Sequence, residues 1–262
     1  LSGRDTVNSE TLFAFSSSNN PNDPWHVYSI PGNPLNNEKW SDYPQFSLTK
    51  DEVFYTVNLI DWKPPGQSNW RTDFNETVIW QMDKNAGYAG ADSIDMRLWH
   101  DLDYNGKPIR YSHTVKSATT PKGPNAYFVS NRSKPEATDS PLVFNDTVFL
   151  LEITNTMKNG NAQLKTYVGK SNIPYITPPH ALQSEGFRFE TNDGRVLGAL
   201  IDAGNIHFVG NGFDTTTGHT AVYHGVITNF RNGMLDCQAS IISADYDIGY
   251  PNLAYTGISS GE

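Results

Sequence analysis

Apolar residues recur at every second position over short stretches, polar turn-forming clusters separate those stretches, and sustained helical periodicity is almost absent. Residues 11–15 and 25–30 read as the strands of a hairpin around the turn-rich segment 16–24. Residues 46–48 and 53–59 read as the next, turning at Thr49-Lys50-Asp51-Glu52. Residues 77–82 and 93–99 follow, separated by the Gly- and Asn-containing segment 83–92. Further strands are expected at 126–130, 147–153, 163–168, 195–201, 206–209, 219–228 and 235–243. Asp202-Ala203-Gly204-Asn205 is strong hairpin chemistry, because Gly and Asn accept the positive φ that a tight two-residue turn demands.

A longer-range pattern overlies these pairs. A Tyr-Pro dipeptide opens a strand-turn-strand phrase at Trp40–Ile60 and returns, shortened, at Gly249–Gly257. Strand-turn-strand units recurring every several tens of residues predict an all-β fold built by radial repetition, a β-propeller of four-stranded antiparallel blades. The expected layout is a single domain over 1–262 with about four blades. It comprises a partial blade at 1–35, blades near 40–105, 108–172 and 185–245, and the inner half of another at 248–262. The uneven ends favour an excerpt of a larger propeller over a ring closed by the two half-blades.

Composition narrows the function classes. The chain of 262 residues carries 13 Tyr, 13 Phe and 6 Trp and a formal charge of −9. That charge, with no compensating basic cluster, argues against nucleic acid, whose phosphates are bound by neutralising Lys and Arg. No stretch reaches the roughly 20 apolar residues needed to cross a bilayer as a helix, so membrane insertion is not expected. The single cysteine, Cys237, excludes an intramolecular disulfide framework and sits in an apolar run that predicts a buried, inert thiol.

Residues 14–28, followed by Trp40-Ser41-Asp42-Tyr43-Pro44-Gln45-Phe46, resemble phrases of large secreted and cell-surface bacterial β-propeller proteins, many of them sialidase-like in fold. Residues 18–25 also resemble a degenerate Asp-box, the Ser-x-Asp-x-Gly-x-Thr-Trp turn of sialidase blades, with its Gly and Thr absent and its spacing to Trp25 lengthened. The resemblance implies a secreted or surface-displayed protein. The Asp-box is structural in that family, so it implies no chemistry.

Catalytic candidates are few. A sialidase needs an arginine cluster and a Tyr–Glu pair, and no spacing among the eight arginines selects such a set. Asp42, before Tyr43-Pro44, is the one weak catalytic candidate, because the start of an inner strand lies near a propeller's axial opening. The histidines are scattered, and His219 and His224, five apart on one strand, face opposite sides and make a poor chelate. Asp101, Asp103 and Asn105 with Gly106 make a weak calcium candidate, lacking the bidentate Glu of a calcium loop because position 112 is Ser. No other cofactor is expected. Three Asn-x-Ser/Thr triplets start at Asn75, Asn131 and Asn145.

Trp62, Trp70, Tyr88, Trp99 and Tyr104 lie in or beside irregular segments, and exposed aromatics among amides and carboxylates suit sugar recognition. The function expected from the sequence is therefore an extracellular module that binds a glycan or protein ligand without chemistry of its own. The alternatives are a glycoside hydrolase or sialidase-like enzyme with part of its site outside this chain, and a structural component of a surface or secretion-associated assembly.

Overall fold

A computed structural model describes residues 9–63, 74–132 and 144–257. Strands β1 (Glu10–Ser16) and β2 (Trp25–Pro31) form a two-stranded antiparallel sheet. A four-stranded antiparallel meander follows in the order β3 (Lys39–Leu48), β4 (Glu52–Asp61), β5 (Phe74–Asp83) and β6 (Met96–Trp99). Between β5 and β6 lies a short helix, α1 (Lys84–Ala89), in the segment expected to be only a turn. Asp83 starts it by accepting the amides of Asn85 and Ala86, and Gly90 ends it in the left-handed conformation. A small hairpin, β7 (Asp103–Tyr104) with β8 (Lys107–Pro108), leads out of the meander.

The rest of the chain builds one large mixed sheet. Its members are β9 (His113–Thr114), β10 (Lys116–Ser117), β11 (Ala126–Asn131), β12 (Asn145–Thr154) and β13 (Gln163–Tyr175). A separate pair, β14 (Ala181–Leu182) with β15 (Arg188–Phe189), interrupts the run. The large sheet then continues with β16 (Val196–Asp202), β17 (Asn205–Asp214), β18 (His219–Arg231) and β19 (Met234–Ile242). The nine strands are ordered β10-β16-β17-β18-β19-β13-β12-β11-β9.

This arrangement overturns the propeller. The units expected as blades 108–172 and 185–245 are welded into one sheet by parallel pairing of β13 with β19, at Val168 with Met234 and Ser171 with Cys237. Gly169 permits the weld, since a Cβ there would stand 2.2 Å from the Leu235 carbonyl oxygen. At the other side, β9 and β10 are neighbours in sequence yet occupy opposite edges of the sheet. Between them, Val115 N–H donates to Tyr127 O at 2.9 Å, and just beyond β10 Ala118 N–H donates to Ile201 O at 3.0 Å. The segment 113–117 thus bridges the two edges, and the sheet is a nearly closed barrel. The resemblance to sialidase-like propellers falls with the radial repeat that it implied. The shortened Tyr-Pro phrase at 249–257 forms no strand, and among the described residues β1 and β2 pair only with each other.

Alternation within strands sorts side chains into three cores. Val129, Val148, Leu150, Phe208, Tyr223 and Ile227 fill the barrel. Phe128, Phe149 and Leu151, on the other face of β11 and β12, meet Phe54 and Ile79 of the meander. The opposite face of the meander, Val53, Tyr55, Val57 and Val78, meets Phe15 and Ile30 of the β1–β2 hairpin. β4 is therefore a nearly unbroken buried run, with Glu52, Thr56 and Asn58 beside Phe54 on the face toward the barrel.

One of the enclosed polar groups centres on Arg195. Arg195, 6 % exposed, donates from Nε and Nη2 to the two carboxylate oxygens of Asp193, each at 2.8 Å. Its guanidinium stacks on Tyr111 at 3.7 Å from the ring centroid and lies 5.6 Å from that of Tyr43. Tyr43, Tyr111 and Tyr250 all have left-handed backbones, with φ of 53°, 54° and 53°. Such angles are strained for a bulky residue and persist only where surrounding contacts hold them. Asn211 supplies one such contact, accepting the Tyr250 amide at 2.7 Å. Tyr250 belongs to the same cluster, since the charges of Arg195 and Asp193 both act on its hydroxyl.

Candidate metal centre

Glu76 lies on β5, and β6 is held beside that strand by the pairing of Ile79 with Trp99. Immediately after Trp99 the chain leaves the sheet as His100-Asp101. Asp101 takes a left-handed conformation with φ of 55°, a turn that aspartate tolerates better than most residues. Its backbone N–H then donates to Glu76 Oε2 at 2.9 Å, and its Oδ2 lies 2.6 Å from His100 Nδ1.

One ligand atom from each of Glu76, His100 and Asp101 falls within 4.8 Å of the others. Glu76 is half-buried, while His100 and Asp101 are exposed. Buried apolar residues anchor the base of the site. Leu102 and Ile109 belong to the core between meander and barrel, and Ile109 N–H donates to Leu102 O at 2.7 Å.

Two carboxylates and one imidazole can hold a divalent ion. The carboxylates offset its charge, and three protein ligands leave further positions for water or substrate. A histidine in the set departs from the all-oxygen shell that calcium takes, so the cluster supports metal binding in general rather than calcium in particular. Of the residues expected to hold calcium, only Asp101 is in this cluster. Asp103 caps its own turn, accepting the Gly106 amide at 3.1 Å. Asn105 and Gly106, with φ of 54° and 73°, are the central residues of the β7–β8 hairpin turn.

The other residues singled out in the sequence are dispersed. Asp42 is exposed on β3, beside the bulge that contains Tyr43. Trp62 is exposed just past β4, with its amide donating to Glu38 O at 3.1 Å. Tyr88 lies on α1 and packs edge-on against Phe15 at 5.2 Å. Trp99 is half-buried, with its indole N–H on Gln81 Oε1 at 3.0 Å and the Arg97 guanidinium 3.8 Å above its ring. Tyr104 packs on Phe149 at 5.7 Å. Trp70 lies outside the described residues.

Cys237 is buried, and burial pushes its thiol up to about 12, which keeps it protonated and unreactive. His219 and His224 do part company: His219 pairs with Asp247 at 3.0 Å, and His224 with His207. No protein-family model matches the chain, and none of the curated proteins is significantly similar to it.

A module without chemistry was expected because no catalytic set was visible along the chain. The convergence of Glu76, His100 and Asp101 contradicts that expectation and turns the balance toward an enzyme. Glu76 and His100 went unrecognised because 23 residues separate them, and only the β5–β6 pairing closes that gap. The adjacent His-Asp pair after an apolar strand was the one local signal.

Proposed function

We propose that this chain is a metal-dependent hydrolase whose ion is held by Glu76, His100 and Asp101. The observation that carries the reading is the convergence of three ligand atoms from two separate elements at an accessible surface. The mixed nitrogen and oxygen donors favour zinc or manganese over calcium. Such an ion, when bound, lowers the pKa of a coordinated water and polarises the bond to be cleaved. The protein's own part is positional. The Glu76–Asp101 hydrogen bond holds the turn in its left-handed form, and Asp101 orients the neighbouring imidazole.

A second reading rests on the same residues. The carboxylate oxygens of Glu76 and Asp101 lie within 4.8 Å of each other, which sets the pair apart from the roughly 6.5–9.5 Å of inverting glycoside hydrolases and on the closer, retaining side. In that reading Glu76 and Asp101 act directly on a glycosidic bond with no ion.

The test is turnover of a panel of nitrophenyl esters, phosphates and glycosides with zinc, manganese or a chelator. The metal reading expects hydrolysis that chelator and His100→Ala both abolish. The glycosidase reading expects glycoside turnover that survives chelator and is lost in Glu76→Gln. No turnover together with no metal uptake would overturn both.

A further inference from the structure

The outer wall of the barrel carries a second group of histidines, unrelated to the centre on the meander. β17 and β18 pair with His207 opposite Val226 and Val209 opposite His224, so the two imidazoles stand diagonally across neighbouring strands. Their alternating neighbours Phe208 and Tyr223 belong to the barrel core, which leaves both histidines on the outer face, half-buried. His207 Nδ1 lies 3.2 Å from His224 Nε2, with the ring planes 16° apart and their centroids 5.5 Å apart.

We infer that His207 and His224 form a two-histidine binding site for a nitrogen-seeking divalent transition metal, copper(II), nickel(II) or zinc(II). Metal–imidazole bonds are about 2.0–2.1 Å, so two nitrogens on one ion with an open angle stand roughly 3.0–3.4 Å apart, and the observed spacing falls in that span. Imidazole suits these three ions, and copper(II) binds tightest among them in a given site.

Without metal the pair shares one N–H···N hydrogen bond, and for both facing nitrogens to ligate the donor ring carries its proton on its other nitrogen instead. Since the rings are nearly parallel, each must turn about its Cβ–Cγ bond for both lone pairs to meet the ion. Burial, and then the neighbouring His207, hold His224 below the usual histidine range, so the ring is neutral and able to ligate at neutral pH. Ser240 of β19 stands directly opposite His224 in the ladder and is exposed, close enough for its hydroxyl to meet a metal-bound water. The immediate ladder partners Val226, Val209, Leu200 and Ser240 bring no carboxylate.

The test uses the full chain carrying His100→Ala, which removes the histidine of the other centre, with copper(II) and zinc(II) alone as probes. Calorimetry should show one copper site, electron paramagnetic resonance should show coupling to two imidazole nitrogens, and His207→Gln or His224→Gln should each weaken binding about tenfold or more. Side-chain NMR of the parent chain, in which the histidine signals of residues 207 and 224 should broaden first on adding copper(II), covers the case of a variant that folds poorly. Absence of copper binding at about 100 μM would overturn the inference. So would binding that both variants leave intact, which would place the ion on other histidines.

Discussion

Two polar clusters, one around Arg195 and one around His100, use similar residue types to opposite ends. Around Arg195 the charges are buried: the guanidinium is matched to Asp193 by two 2.8 Å bonds, flanked by tyrosine rings, and the strained Tyr250 nearby is tied down by Asn211. Around His100 the carboxylates make few bonds, face solvent, and keep spare lone pairs within 4.8 Å of one another. A saturated, desolvated cluster holds chain segments together and has little left to offer a ligand. An unsaturated cluster at the surface contributes little to folding and can capture an ion.

The contrast is sharpest for stability. Asp193→Ala leaves the guanidinium buried and unpaired, and should cost about 3–5 kcal/mol by urea denaturation. Replacing both partners, Asp193→Leu with Arg195→Met, should recover much of that loss. A single variant within about 0.5 kcal/mol of the parent would erase the distinction between the clusters.

Acid should act on the buried interior. His113 is buried against the Thr114 carbonyl, and burial lowers its pKa from 6.5 to about 4. The fold therefore favours the neutral ring. Its contribution is complete above pH 6.5 and is lost progressively as pH falls toward 4, by about 3 kcal/mol if the unfolded chain titrates normally. Urea midpoints at several pH values should show this slope in the parent and a flatter one in His113→Gln. Equal slopes would assign the acid sensitivity elsewhere.

Metal should stabilise through the open cluster. At a zinc or manganese concentration about 100 times the dissociation constant, linkage predicts about 2.7 kcal/mol of added stability, which His100→Ala should remove. Without metal, the same substitution should change stability by less than about 0.5 kcal/mol, since it removes an exposed ring from a solvated turn. A large loss in metal-free His100→Ala would show that the open cluster is structural after all.

Strands were legible where the physics is local. The alternation in 11–15, 25–30 and 53–59 and the turn chemistry of Asp202-Ala203-Gly204-Asn205 found their partners next door in the chain, and those hairpins form. α1 was hidden because Lys84–Ala89 is too short to show a helical period. The metal centre was half visible. His100 and Asp101 are adjacent, but Glu76 reaches them only through a cross-strand pairing.

The two Tyr-Pro phrases show where sequence stops and tertiary structure begins. The repeat was real as a word and wrong as a blade marker. Tyr43 sits in a β-bulge and Tyr250 in an irregular segment, and both border one cluster, Tyr43 against the Arg195 guanidinium and Tyr250 on Asn211, which also bonds the Asp193 carbonyl.

By itself, the amino-acid sequence determined a mostly β chain, a buried thiol at Cys237 and the turns of its local hairpins, because side-chain alternation and turn conformations depend on near neighbours. Only the tertiary structure decided that the strands merge into a barrel instead of separating into blades. That choice rests on the β13–β19 parallel pairing and the bridge at 113–117, contacts between segments far apart in the chain. A strand's own pattern says which of its faces is buried, but its edge hydrogen bonds are nearly the same for any partner, and close packing at residues such as Gly169 selects among them.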